Sequence, residues 1–484
     1  MFKKGQNMTT EALKPFIHIK KRRAYRIGTV LFALTLIVLY YLGWKENTDM
    51  MYSDNQKIIA TLMLVLSFMV LTFTGLQIAY SVLIAAIITT FYLGLPLKIV
   101  AQNMLKGIDS YALLAAPFFM VAGEIMGSGG ISTRLIRLSR SLVGWIRGGL
   151  AHVNIVSSMF FGGISGSSAA DTASIGTIMI PMMEKEGYDT DFATAVTMAS
   201  SVQGILIPPS HNMVLYALAV GSVSIGKLFL GGMIPGIFLG IALMIYSYII
   251  SVKKNYPKDH RFDIKEMILA AKDAIWGLIT VLIVVVGVIG GIFTATESAA
   301  IAVVWAFIVT FFIYREISFK SFYQIMTRAL KTLSIVMILV ACAKAFGYVV
   351  AYLQIPTMVA NGLLSLSDNK YIILLLINLL MLVLGMIMDM ASLILILAPI
   401  LAPVAVQLGI DPVHFGVIMI LNLGIGLITP PVGSTLFIGS AIAGIPIEKV
   451  AKSMLPFFIV MLLTLMVVTY VPIVVMGLPN LLMP

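Results

Sequence analysis

Long uncharged apolar runs, separated by short polar segments, recur along the chain from Ile27 to Met476. A helix of about 20 residues crosses roughly 30 Å of hydrocarbon, so each run is long enough to span a bilayer. The pattern predicts about eleven crossings and two shorter, hairpin-like segments. The first run, Ile27 to Trp44, is long for a signal core and is followed by no small-residue cleavage site, so it reads as a permanent first helix.

Sliding the chain on itself until Pro181 falls on Pro403 also superimposes Gly187, Asp189, Pro208 and Pro209 on Gly409, Asp411, Pro430 and Pro431. Gly163 with Gly385, Ala169 with Ala391, Gly204 with Gly426 and Thr74 with Thr296 fall at the same offset. Each copy reads as three helices, an amphipathic segment, a hairpin, a helix interrupted at Pro-Pro and a final helix. Five crossings is an odd number, which obliges the second copy to lie upside down relative to the first. The expected fold is an all-α polytopic membrane protein made of inverted repeats of five crossings plus a re-entrant hairpin each, with one extra N-terminal helix. Its expected segments are the basic N-terminus and extra helix (1–56), the first repeat (57–251), a cytoplasmic linker (252–273), the second repeat (274–476) and a tail (477–484). The hairpins fall at about 150–183 and 371–404, and the broken helices at about 190–220 and 414–442.

Composition agrees: 60% of the 484 residues are apolar and 11% charged, with a mean hydropathy of +1.03, which excludes a soluble globular domain. The net charge of +11 is not a nucleic-acid signature, because Lys and Arg fall between the apolar runs rather than along one face. They report topology instead. The segment ahead of the first run carries Lys3, Lys4, Lys14, Lys20, Lys21, Arg22, Arg23 and Arg26 against Glu11, which holds this end in the cytoplasm. Alternation then puts Arg134 to Arg147, Lys253 to Lys272, Arg315 to Lys331 and Lys449 to Lys452 inside as well, as expected for a bacterial inner-membrane protein. The single cysteine, Cys342, excludes an internal disulfide.

The stretch from Gly162 to Asp171 is too rich in Gly and Ser for an uninterrupted lipid-facing helix. Such backbone is tolerated at membrane depth only inside protein or beside a wet cavity, which points to a re-entrant hairpin. Its freed carbonyls and the hydroxyls of Ser165, Ser167 and Ser168 are hard oxygens able to replace a cation's hydration shell; close packing of small residues is the alternative. At Pro208-Pro209 and Pro430-Pro431 the prolyl nitrogens carry no hydrogen, so carbonyls one turn earlier are released, either to a ligand or merely in a kink. Asp389 occupies the place of Ser167 in the second copy and has three readings: cation ligand, proton carrier or helix cap. Lys344, deep in an apolar run, attracts a carboxylate substrate, snorkels to the membrane surface or pairs with an acid such as Glu297. His211 is either a substrate contact or a hydrogen-bonded structural residue. No phosphate-binding loop for ATP and no hydrolase or transition-metal motif is present, so the chain reads as no enzyme.

The runs Pro117-Phe-Phe-Met-Val-Ala-Gly123, Gly162-Gly-Ile-Ser-Gly-Ser-Ser168, Ile207-Pro-Pro-Ser210, Thr294-Ala-Thr-Glu-Ser-Ala-Ala300 and Thr429-Pro-Pro-Val-Gly433 resemble the large membrane subunit of tripartite ATP-independent periplasmic (TRAP) transporters. The resemblance covers roughly residues 57 to 476. It implies an elevator-type carrier for an organic acid, coupled to Na+ and fold-related to the wider ion transporter superfamily. It implies two partners, a small four-helix membrane subunit and a periplasmic substrate-binding protein. One sodium site would use Ser165, Gly204, Ile207 and Pro209, and the second Gly385, Gly426, Thr429 and Val432. Substrate would lie near Ser167, Ser168, Asp389 and Ser434, with His211 beside them. The substrate classes implied are sialic acids, C4-dicarboxylates and related carboxylates. A stand-alone sodium-coupled anion carrier and, from another class, a channel are the competing readings.

Overall fold

A computed structural model describes residues 54–259, 262–367 and 369–483. The basic N-terminus and the helix expected at Ile27 to Trp44 lie outside the described residues. In hydrocarbon every backbone N–H and C=O needs an internal partner, and helices supply it within one segment. Among the described residues the chain forms α-helices joined by short turns, with no strand.

In chain order these are α1 (Asp54–Phe73), α2 (Ile78–Tyr92), α3 (Lys98–Ile108), α4 (Ala115–Ser128), α5 (Ile131–Val143), α6 (Gly149–Ser165), α7 (Ser168–Lys185), α8 (Thr190–Gln203), α9 (His211–Val220) and α10 (Ile225–Lys253). There follow α11 (Ile264–Ile289), α12 (Ala295–Ile308), α13 (Phe319–Tyr352), α14 (Ile355–Leu366), α15 (Lys370–Gly385), α16 (Met390–Gln407), α17 (Pro412–Gly426), α18 (Ser434–Ala443), α19 (Ile447–Tyr470) and α20 (Pro472–Leu482). Eight helical runs among the described residues are long and apolar enough to cross a membrane alone. The pairs α8/α9 and α17/α18 lie where the sequence predicts interrupted helices, and α6/α7 and α15/α16, of which α16 is one of the eight long runs, lie where it predicts hairpins. Helix α11 already takes in the second half of the segment 252–273, and α20 takes in most of the tail.

The described chain forms two compact units. Of the described residues, one unit comprises 54–108 and 337–358, and the other those from 109 to 336 and from 359 to 483. In the first, α1 packs on α2, and Phe68 meets Phe346 with ring centroids 6.0 Å apart. The second contains both hairpins and both breaks. Within it, α9 packs against α16 and α18 against α7, so each copy's half-helix beyond the Pro-Pro leans on the other copy's hairpin. Polar bonds tie the exchange: the Tyr216 hydroxyl donates to the Pro412 carbonyl (2.8 Å), and the Ser168 and Thr435 hydroxyls lie 3.4 Å apart.

Helix ends follow local chemistry. Asp411 caps α17 by accepting the Val413 N–H (2.7 Å), with Pro412 in the first turn where no N–H is needed. Asp189, its counterpart in the first copy, makes no such cap. It accepts from the Lys254 ammonium and from the Tyr256 hydroxyl, and the hydrogen bond from Lys254 is the main cause holding its carboxyl below the usual range. Glu297 closes a capping box with Thr294 (2.8 Å), so its carboxylate serves its own helix.

Candidate functional site

At each hairpin tip a side chain caps the second helix. Helix α6 ends at Gly166 (φ +59), whose N–H returns to the Gly162 carbonyl (2.9 Å). Ser167 is then extended and caps α7 by accepting the Ala170 N–H (3.3 Å). In the second hairpin Asp389 takes the same part, its Oδ2 accepting the Ala391 N–H (3.0 Å) to cap α16. The equivalence of Ser167 and Asp389 is therefore one of capping role.

The two breaks lie against the tips. Helix α8 stops at Gln203, whose carbonyl takes the N–H groups of both Leu206 and Ile207 (3.0 Å each). Helix α17 stops at Gly426, and the Pro208-Pro209 and Pro430-Pro431 bonds are both cis. Glycine faces glycine at each junction. A Cβ on Gly162 would sit 2.1 Å from Gly204 Cα, and one on Gly426 would sit 2.6 Å from the Gly385 carbonyl carbon. A Cβ on Gly166 would come 2.8 Å from the Pro209 carbonyl oxygen. Val432 donates its N–H to the Met386 carbonyl (3.1 Å). The structure thus brings Ser165, Gly204 and Pro209 to one junction and Gly385, Gly426, Thr429 and Val432 to the other. At Ile207 the side chain turns toward Gly236 on α10, which leaves only its backbone for the junction.

Both junctions collect oxygen. The carbonyl ends of α6 and α8 converge at the first, and those of α15 and α17 at the second, so helix dipoles present negative ends at each. The Thr429 hydroxyl gives its proton to the Ile425 carbonyl (2.7 Å), which leaves its lone pairs for a cation.

Between the tips lies a cavity of about 780 Å³, lined by Ser165, Ser167, Ser168, Asp389, His211 and Ser434, with Asn212 and Thr332. Every residue expected to contact substrate lines this space. Their availability differs. Asp389 and Ser434 are open to it, whereas Ser168 is buried and spends its hydroxyl on Ser201 (2.6 Å). Nδ1 of His211 is buried without a hydrogen-bond partner.

The same wall holds Arg328 and Glu124, which the sequence reading did not single out. Arg328 donates to the Ser128 hydroxyl (3.1 Å) and lies 3.7 Å from the Glu124 carboxylate. Arginine carries five donors in a planar fork, so most of its capacity faces the cavity unspent. In the sequence Arg328 lies within the basic segment Arg315 to Lys331, which reads as a topology marker and gives no signal of a cavity.

One prediction arises directly. Asparagine keeps the α16 cap, so Asp389→Asn is expected to accumulate normally while raising the KM for uptake about tenfold, through loss of an acceptor on the cavity wall. A KM equal to the parent's would leave Asp389 as a cap alone.

The sequence profile of the tripartite ATP-independent periplasmic transporter DctM component matches residues 65–474. The chain belongs to the DctM family. Its relatives agree. A Salmonella typhimurium protein named YgiK is 40% identical over 422 residues, covering 86% of this chain and 97% of that one. The Vibrio cholerae sialic acid TRAP transporter large permease SiaM is 39% identical over 414 residues, 85% of this chain and 96% of SiaM. The isethionate TRAP transporter permease DctMQ of Oleidesulfovibrio alaskensis is 41% identical, across 82% of this chain but 63% of the relative. The crystal structure of the YdaH transporter of Alcanivorax borkumensis superimposes with a TM-score of 0.58 at 15% identity, covering 91% of this chain and 97% of YdaH. That likeness extends the DctM-family fold to a distant transporter. The DctM-family chain is accordingly a multi-pass membrane permease of the TRAP class.

Proposed function

We propose that this permease imports an organic acid in symport with sodium, moving the hairpin-and-break assembly across the membrane as an elevator. Its partners are a small four-helix membrane subunit and a periplasmic substrate-binding protein. The observation that carries the reading is the pair of glycine-packed junctions flanking one polar cavity. Two oxygen-rich junctions suit two monovalent cations, and the cavity between them suits an anion. Backbone carbonyls and the hydroxyls of Ser165 and Thr429 are hard donors of the kind sodium takes. The cavity also reaches Gly130, Ser132 and Thr133 at the start of the Arg-rich α5. By the positive-inside rule that end is cytoplasmic, so this conformation opens inward.

The substrate is an anion because the cavity wall carries Arg328, and because relatives are named for sialic acid and isethionate, a carboxylate and a sulfonate. The test is uptake of labelled organic acids into proteoliposomes that contain the permease, small subunit and binding protein, with and without an inward sodium gradient. Uptake requiring both gradient and binding protein supports the proposal. Sodium-driven uptake indifferent to the binding protein moves the chain to the stand-alone carriers, and uptake indifferent to sodium removes the coupling.

At the second junction, Thr429→Ala removes one hydroxyl ligand. The sodium concentration for half-maximal uptake is expected to rise about tenfold, the scale of one lost charge-assisted contact, at unchanged protein level. An unaltered sodium dependence would take Thr429 out of the site.

A further inference from the structure

Inside the first half, behind the cavity wall, a polar network joins α6, α7 and α8. Asn154 donates to the Thr197 hydroxyl (2.6 Å), the Ser158 and Ser200 hydroxyls lie 3.0 Å apart, and Ser158 donates to Oδ1 of Asp171 (3.3 Å). Asp171 is fully buried, and its second oxygen, Oδ2, has no hydrogen-bond partner. No ion pair reaches it among the described residues. That oxygen faces the first break: a Cβ on Gly204 would lie 3.5 Å from it.

The internal repeat shows that the fold does not need an acid here: in the second copy Asn422, at the place of Ser200, ties the broken helix to the hairpin through Asn378 (2.8 Å). In the second copy, at the offset that lays Pro181 on Pro403, Leu376, Leu380 and Leu393 stand where Asn154, Ser158 and Asp171 do. The second hairpin forms the same helix–turn–helix without them. A carboxylate at membrane depth with neither counter-ion nor full hydrogen bonding is strongly disfavoured unless something else compensates it. Among the described residues no donor reaches Oδ2. Ser200 gives its proton to the Thr197 carbonyl (2.9 Å), and Ser158 has one proton, directed at Oδ1 or at Ser200. Oxygen acceptors beside helix carbonyl ends are what a desolvated monovalent cation takes.

We propose that Asp171 is the anionic ligand of the cation held at the first junction, acting with the Ser158 hydroxyl and the Gly204 carbonyl. The two cation sites then differ in kind: the first neutralises a formal charge, whereas the second rests on dipoles and the Thr429 hydroxyl alone. The inference builds on the sodium-coupled reading above and assigns the tighter, first-filled site to the first half.

The experiment titrates sodium against the thermal unfolding midpoint of the purified full-length chain, with choline holding ionic strength constant, and counts bound ions with radioactive sodium. In the parent chain, stabilisation is expected in two phases. Asp171→Asn should shift the tighter phase at least tenfold to higher sodium and remove one ion from the count at low sodium. Thr429→Ala should leave that phase in place and move the weaker one. If Asp171→Asn does not fold, Ser158→Ala decides, with an expected severalfold shift of the tighter phase alone. Stabilisation of the parent by sodium with an unchanged midpoint in the variants would overturn the role of Asp171 and leave the coupling intact. A parent chain that sodium does not stabilise at all would overturn both.

Discussion

Gly162→Ala is expected to reduce uptake below a tenth of the parent rate while the protein still reaches the membrane. The added methyl would sit 2.1 Å from Gly204 Cα, a backbone atom that no rotamer change can move aside. Overpacking of a close-packed interior costs about 1–3 kcal/mol and more where backbone must shift. Here the shift opens the first junction, so the loss falls on ion and substrate handling before it falls on folding. Gly347→Ala is the control, because nothing lies within 4 Å of its Cβ position in α13. It should transport normally. The comparison is read as initial uptake rate against membrane protein level; equal activity of the two variants would mean that the tip and break need not touch.

Arg328→Gln is expected to raise the KM for the anionic substrate by about 10–100-fold with a smaller effect on maximal rate, since a hydrogen bond to a charged group contributes roughly 1.5–3 kcal/mol. Arg328→Lys keeps the charge and loses the fork, so it should recover only part of the affinity. Glu124→Gln removes the carboxylate 3.7 Å away and frees the guanidinium, which should lower KM. The pair is partly exposed to the cavity, so its own contribution to stability is small. A KM indifferent to all three changes would make Arg328 a topology marker after all.

The breaks and hairpins were legible because their signals are covalent. A prolyl nitrogen without hydrogen and a Gly-Ser run have the same effect wherever the helix lies, and α8 and α17 end a few residues before their Pro-Pro pairs while α6 ends at the Gly166 turn. Asp389 was located but its capping role stayed one of three options, because a cap depends on where a helix begins, to the residue. Arg328 was hidden for a physical reason. Basic residues near the ends of apolar runs are usually anchors at the membrane surface, and only the path of α13 shows this one turning to the cavity. Asp171 closed a stretch already marked as hairpin, and its isolation became visible only with the three helices around it in place. The exchange of α9 and α18 between halves had no sequence signal, since both are short apolar segments with no directional pattern.

That exchange has a bearing on how the chain is made. Ser168 is synthesised 267 residues before Thr435, the partner its hairpin packs beside, and Tyr216 precedes Pro412 by 196. The first hairpin therefore leaves the ribosome well before the surface that covers it. During that interval α7 must be held by lipid, by the insertion machinery or by earlier helices of its own half. A chain cut within 252–273 would yield two fragments, each lacking the element that seals its hairpin, and they would accumulate only when produced together.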